Sequence, residues 1–258
     1  MAGDAPLVSV VFITYKRLDL LTGAVHALYE CSAYPNLETI ISDDGSPPSV
    51  VDGLRQLPVD RIISERNAGL GANTNRGLRA ARGEYVLHHQ DDFKCQSSEP
   101  FIARSIDIMD RHPDVGLVRL HHIDPLFQNR EDHVLPDGTP YSILSTDQPP
   151  IKGGLYLYSD HPHIKRADFH EKVGFFTEGL GVGETEEDFC RQFLANNRYK
   201  LATFWRSDLF ENLGIGSSTR QDRYRANLRT WLSGQAWGRT LLRTYGALPT
   251  GVRRALRH

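Results

Sequence analysis

The chain has 258 residues and a mass of 29.1 kDa, with 40% apolar and 24% charged side chains, which suits one domain with a real core and excludes wholesale disorder. Its longest largely apolar run, Leu7 to Ile13, is far short of the roughly 20 residues a membrane-spanning helix needs. The formal charge of -2 conceals an asymmetry: residues 223–258 hold eight arginines and no acid, so the other 222 residues carry 22 basic and 32 acidic side chains.

In chain order, Leu7–Thr14 (LVSVVFIT) reads as a strand buried on both faces, because it is β-branched and unbroken by polar alternation. A helix is expected from about Leu18 to Cys31, and a second strand at Leu37–Ser42 ends in Asp43-Asp44-Gly45. Arg61–Ser64 is a third strand, Asn73–Ala81 a helix, and Glu84–His89 a fourth strand ending in Gln90-Asp91-Asp92. This rhythm predicts βαβ units and a parallel sheet, in which ligands sit beyond the carboxyl ends of the strands. Those ends carry Thr14-Tyr15, Asp43-Asp44 and Asp91-Asp92.

From about 121 to 165 prolines and histidines interrupt the pattern, which predicts long loops with one short strand, Gly154–Tyr158. His121, His122, His133, His161 and His163 show no metal spacing and read as surface or loop residues. A helix from Glu186 to about Asn196, a strand at Lys200–Trp205 and a loop at Phe210–Arg220 precede the tail.

Three widely spaced cysteines without a CxxC pair argue against a disulfide framework and a zinc site. Asp4 stands where a signal peptide would be basic, and no small-residue cleavage site follows. A reduced, cytoplasmic location is therefore expected.

Asp43-Asp44 before Gly45-Ser46-Pro47-Pro48 reads as an ordinary turn or as carboxylates for a nucleobase N–H or a ribose hydroxyl. The glycine-rich stretch Asn67–Asn73 lacks G-x-G-x-x-G spacing and follows the third strand, so a turn with asparagines capping the next helix is expected. Adjacent Asp91 and Asp92 are of the type that holds a divalent cation against phosphates. Thr185 with Asp188 fits a capping box, which leaves Glu186 or Glu187 as a candidate general base.

Taken together, VSVVFITYKR (Val8–Arg17), SDDGSPP (Ser42–Pro48) and RNAGLGANTNRGLRAARGEYVLHHQDD (Arg66–Asp92) resemble the inverting family 2 glycosyltransferases of GT-A fold. The likeness is strong over roughly residues 6–95 and continues through His161–Phe176 and Gly183–Phe193. It implies a single, mostly parallel Rossmann-like sheet flanked by helices. Residues 1–222 would form this domain, with a nucleotide-binding half (1–95) and a loop-rich acceptor half (96–222), followed by a basic helical tail (223–258).

The resemblance further implies transfer of a sugar from a nucleotide-diphospho-sugar to a hydroxyl, in cell-envelope polysaccharide, glycolipid or natural-product synthesis. It puts Thr14, Tyr15 and Arg17 by the nucleotide, Asp43 and Asp44 on the base or ribose, and Asn75 and its neighbours beside the diphosphate. Asp91 joins that group, and Asp92 matches the metal-binding last acid of a D-x-D motif. The acidic pair that holds the base matches Thr185-Glu186, which makes Glu186 the first candidate and Asp188 the second. A divalent cation, Mg²⁺ or Mn²⁺, is implied, although Gln90 replaces the first acid of the motif. Relatives carry a histidine in a late loop where this chain has Glu211-Asn212-Leu213-Gly214.

Gln90 and Asn212 also feed a rival reading, a non-catalytic nucleotide- or sugar-binding protein on a degenerate GT-A site. A sugar nucleotidyltransferase is disfavoured, since Tyr15-Lys16-Arg17 stands where such an enzyme has a glycine-rich loop. The tail interleaves Trp231, Trp237, Leu241 and Tyr245 with arginines, a pattern for peripheral attachment to an anionic membrane surface, for packing on the domain, or for a homodimer. No nucleic-acid-binding motif accompanies it.

Overall fold

The computed structural model describes residues 5–120, 130–144, 158–205 and 208–214. The basic tail 223–258, His121, His122 and residues 154–157 of the expected short strand lie outside the described residues. All elements below belong to one compact unit, Met1–Leu213.

The order is β1 (Val8–Thr14), α1 (Leu18–Cys31), β2 (Leu37–Asp43), α2 (Pro48–Leu54), β3 (Arg61–Ser64), α3 (Leu70–Ala80), β4 (Tyr85–Gln90), β5 (Phe93–Cys95), α4 (Phe101–Arg111) and β6 (Val115–Arg119). Then come β7 (Arg130–Val134), β8 (Pro140–Leu144), β9 (His163–Arg166), α5 (Phe169–Val173), α6 (Val182–Asn196), β10 (Lys200–Phe204) and β11 (Phe210–Asn212). β1 is buried along its whole length because both faces are covered. Val8, Val10 and Phe12 pack with α1 and α4 on one side. Val11 and Ile13 face Leu78 of α3 and Phe189 and Phe193 of α6 on the other. Helix α1 buries Leu21, Ala24, Val25 and Leu28, the stripe of a 3.6-residue period. Each large apolar side chain buried in this way contributes about 1.5–3 kcal/mol.

Nine strands form one sheet in the order β3-β2-β1-β4-β9-β6-β10-β8-β7, and β11 pairs with β5 in a small second sheet. The expected α/β architecture is borne out. β3, β2, β1 and β4 run parallel, as does β10 beside β6. Within the nine-stranded sheet the antiparallel pairings all involve β7, β8 or β9, and β11 also pairs with β5 antiparallel.

Several local expectations are corrected. The stretch expected as loops contains, in its described part, the β7–β8 hairpin and β9, which inserts between β4 and β6. The hairpin turns at Asp137-Gly138, where Gly138 takes φ +87°, a conformation suited to glycine. The late loop from Phe210 opens as β11, with Phe210 opposite Cys95 and Asn212 opposite Phe93. Helix α3 starts at Leu70, and its N-cap is Gly69 without a side-chain cap. Helix α6 starts four residues before Glu186, so Thr185 and Asp188 do not form the expected capping box. Glu184 instead accepts the Gly181 N–H at 3.0 Å, while Thr185 Oγ1 donates back to the Gly181 carbonyl. His163, expected at the surface, is fully buried on β9.

Candidate active site

The parallel register brings the carboxyl ends of β1, β2 and β4 to one edge, with Thr14 opposite Asp43 and Ile13 opposite Gln90. Thr14 Oγ1 donates to Asp91 Oδ2 at 2.7 Å, tying β1 to the segment that leaves β4. Arg17, at the entry to α1, donates through Nη1 to Asp91 Oδ1 at 3.3 Å and to Asp92 Oδ2 at 3.0 Å. Burial pushes the Asp91 carboxyl up to about 6, against the opposing pull of Thr14 and the Arg17 charge. Asp92 Oδ1 is buried and has no hydrogen-bond partner among the described residues.

That orphaned oxygen is the atom on which a cation fits. In nucleotide sites Mg²⁺ takes one or two carboxylates from the protein and completes its shell with phosphate oxygens and water. Among the described residues no group of three or more His, Cys, Asp or Glu makes a complete protein-only metal site. Asn212 comes close to this region because β11 lies against β5 and the Leu213 N–H donates to the Asp92 carbonyl at 2.7 Å.

The two acids after β2 have separate surroundings. Asp43 is 0% exposed and accepts from the Ser46 N–H, the Ser46 hydroxyl and the Ser64 hydroxyl. Asp43, expected against a base or ribose, thus has both oxygens turned inward to protein donors. Asp44 accepts the N–H groups of Ala68 and Gly69 at 2.9 and 3.0 Å and Arg76 Nη2 at 2.8 Å. Asp44 thus caps the approach to α3, the task assigned from sequence to asparagines. Asn73 instead lies inside α3 and donates to the carbonyls of Thr14 and Ser42. Tyr15 is 40% exposed, with Lys16 Nζ 4.6 Å from its ring centre. Asn75 is buried, and its amide joins α3 to the Phe176 backbone and to Glu178.

Glu186 is 8% exposed on the first turns of α6. Its Oε1 accepts from Ser159 Oγ at 3.1 Å and from the Asp160 N–H at 3.3 Å. Arg119, at the end of β6, is buried nearby. Desolvation pulls its guanidinium down to about 10, opposed by the Glu186 charge, so it stays protonated at neutral pH. Asp188 faces elsewhere and accepts from Thr177 Oγ1 at 2.6 Å and Gln192 Nε2 at 2.8 Å. Sequence reasoning missed Ser159, Asp160 and Arg119. Arg119 left one signal, a lone charge inside the apolar run VGLVRL.

Behind Glu186, the same sheet face holds buried basic groups. His88 and His163 stack with ring centres 4.8 Å apart, and Lys165 and His170 are also buried. Among the described residues, Lys165 Nζ, both His88 ring nitrogens, and Nε2 of His163 and His170 have no hydrogen-bond partner.

The family model for glycosyl transferase family 2 matches residues 9–174. TuaG of Bacillus subtilis (strain 168), whose name assigns it to teichuronic acid biosynthesis, is 33% identical over 104 residues, covering 38% of this chain and 41% of TuaG. YwdF, an uncharacterized glycosyltransferase of the same organism, is 24% identical over 172 residues, covering 66% of this chain and 61% of YwdF. The chain therefore spans less than two thirds of either relative. Among solved structures, the mannosyltransferase PcManGT from Pyrobaculum calidifontis, in complex with GDP-Man and Mn²⁺, has a TM-score of 0.60 at 16% identity, covering 89% of this chain and 63% of that one. S. aureus TarS 1-349 in complex with UDP-GlcNAc has a TM-score of 0.55 at 19% identity, covering 88% and 66%. At these identities the structures show a shared fold.

Proposed function

The chain belongs to glycosyl transferase family 2, and from that premise we propose that it moves a sugar from a nucleotide-diphospho-sugar to an acceptor hydroxyl with inversion at the anomeric carbon. The observation that carries this reading is the unpartnered, buried Asp92 Oδ1 beside Arg17 and Asp91 at the strand ends. Such an arrangement suits a diphosphate better than a neutral ligand, because a guanidinium and a carboxylate-held cation both counter phosphate charge. The donors bound by PcManGT and TarS support a nucleotide-sugar.

In this reading Thr14, Tyr15, Arg17, Asp44 and Asp91 border the nucleotide, and Asn75 holds the neighbouring 176–178 segment. A divalent cation, Mg²⁺ or Mn²⁺, would be held by Asp92 and would supply positive charge to the leaving diphosphate. Glu186 accepts the proton of the acceptor hydroxyl as its oxygen forms the new bond to the anomeric carbon. The bond from that carbon to the diphosphate breaks on the opposite face, and its electron pair leaves with the nucleoside diphosphate, next to Arg17. Asp188, committed to Thr177 and Gln192, is the weaker candidate for the base.

TuaG's name supports an acceptor in a cell-envelope polysaccharide. Among the described residues no helix is long and apolar enough to cross a membrane. The arginines of 223–258 support attachment to an anionic bilayer, for which cosedimentation with and without that segment is the check. The donor is tested by a thermal-shift panel of UDP, GDP, dTDP and CDP with and without Mn²⁺, followed by turnover of the matching nucleotide-sugars. NMR of the product anomer reads the stereochemistry. Binding without transfer to any hydroxyl acceptor would favour the non-catalytic rival.

A further inference from the structure

Lys16 has φ +60°, and among the described residues the only other non-glycine with positive φ is Asn197, at the C-cap of α6. Asparagine tolerates that region through its short polar side chain, whereas lysine has no such local compensation. The conformation therefore needs an external hold, and the structure provides one. The Lys16 N–H donates to Ser46 Oγ at 2.8 Å. The Ser46 hydroxyl donates in turn to Asp43 Oδ1, and its N–H donates to Asp43 Oδ2 at 2.9 Å. Ser64 Oγ fixes the same Oδ2 at 2.7 Å from β3. The three donors leave Asp43 facing inward and orient the Ser46 oxygen toward Lys16.

We propose that Asp43 is a positioning residue that works through Ser46: it locks Lys16 in its left-handed conformation and so sets Tyr15 and Arg17, the side chains on either side, for the donor. The adjacent acids Asp43 and Asp44 then have different tasks. Asp44 fixes the approach to α3, and Asp43 sets the turn after β1, from which Arg17 reaches Asp91 and Asp92. Donor affinity depends on Asp43 without contact between its carboxylate and the nucleotide. This inference rests on the donor-site reading above for its effect on binding, but not for its effect on the turn.

The experiment measures amide hydrogen exchange of the segment 14–17 and nucleotide affinity with Mn²⁺ in the wild type, S46A, S46T, D43N and K16G/S46A, using the diphosphate that binds best. S46A is expected to speed Lys16 exchange by about tenfold or more and to weaken nucleotide binding by about fivefold to thirtyfold, the range set by the cost of a left-handed non-glycine residue. S46T keeps the hydroxyl and should behave as the wild type. K16G/S46A should recover most of the lost affinity, since glycine adopts φ +60° without that cost. D43N should reproduce S46A, and if D43N fails to fold the serine variants still decide. Unchanged Lys16 exchange in S46A, or no recovery in K16G/S46A after a loss in S46A, would overturn the proposal. If no nucleotide binds the wild type, the functional reading fails while the exchange result still judges the turn.

Discussion

Arg17 Nη1 stands 3.0 Å from Asp92 Oδ2, joining residues 75 positions apart and leaving the other oxygen of Asp92 without a partner. A permanent cation thus already faces the acids where the proposed diphosphate and metal would meet. Asp92→Asn removes the charge proposed to hold the cation and is expected to lower turnover by about 10²-fold or more. It should also abolish the extra thermal stability that Mn²⁺ gives the nucleotide-bound protein, about 2.7 kcal/mol at 100 times Kd. Equal Mn²⁺ response in wild type and variant would place the cation elsewhere.

Glu186→Gln keeps the shape of the side chain and its bonds to Ser159 and Asp160 but removes the proposed proton acceptor. The expected result is a fall in kcat of about 10²–10⁴-fold with nucleotide affinity nearly unchanged. Asp188→Asn should cost less than about tenfold, as its carboxylate already serves Thr177 and Gln192. Single-turnover rates set against calorimetric affinities separate the two carboxylates, and the larger loss of rate in Asp188→Asn would reverse their assignment.

Burial pushes the Lys165 ammonium down from 10.5 to about 7, with Asp160 opposing. Between about pH 7 and 10.5 the unfolded chain keeps a proton that the folded chain has released. Stability should therefore rise with pH across that window, by about 1.4 kcal/mol per unit for one proton, and Lys165 adds no slope below it. His88, His163 and His170 are held well below their usual 6.5, by burial first and then by the Lys165 charge. They extend the loss of stability on the acid side. Denaturant midpoints from pH 6 to 10 are the measurement. Lys165→Met should flatten the alkaline rise and be relatively most stabilising near pH 6, and a curve parallel to wild type would contradict the account.

Gly45 has φ +77°, and a Cβ there would lie 2.6 Å from Asn67 N and 2.8 Å from Glu65 O, both backbone atoms. Gly45→Ala combines a strained dihedral with an unyielding contact and should destabilise by about 2 kcal/mol or more. Thermal unfolding with and without nucleotide checks this, and a loss within about 0.5 kcal/mol would mean that the 65–69 segment gives way easily.

The sequence alone determined the strands β1 to β4, α1, and the gathering of Thr14, Asp43 and Asp91 at one edge, because buried parallel strands and amphipathic helices write their periods locally. Family-level chemistry was legible for the same reason: its motifs are short turns at strand ends. What each carboxylate does there was decided by the tertiary structure. Asp43 and Asp44 are adjacent and chemically identical, yet one is enclosed by Ser46 and Ser64 and the other by the entrance to α3. Ser46 is a local partner, but Ser64, Ala68 and Gly69 lie 21, 24 and 25 residues away from the acids they bond, and partners that distant leave no local pattern. The same holds for β9: its insertion between β4 and β6 buries His163 and Lys165, and nothing in HIKR announces burial. Polar residues enter a core only where nonlocal packing encloses them, so their environment, that of Glu186 and Arg119 included, belonged to the fold.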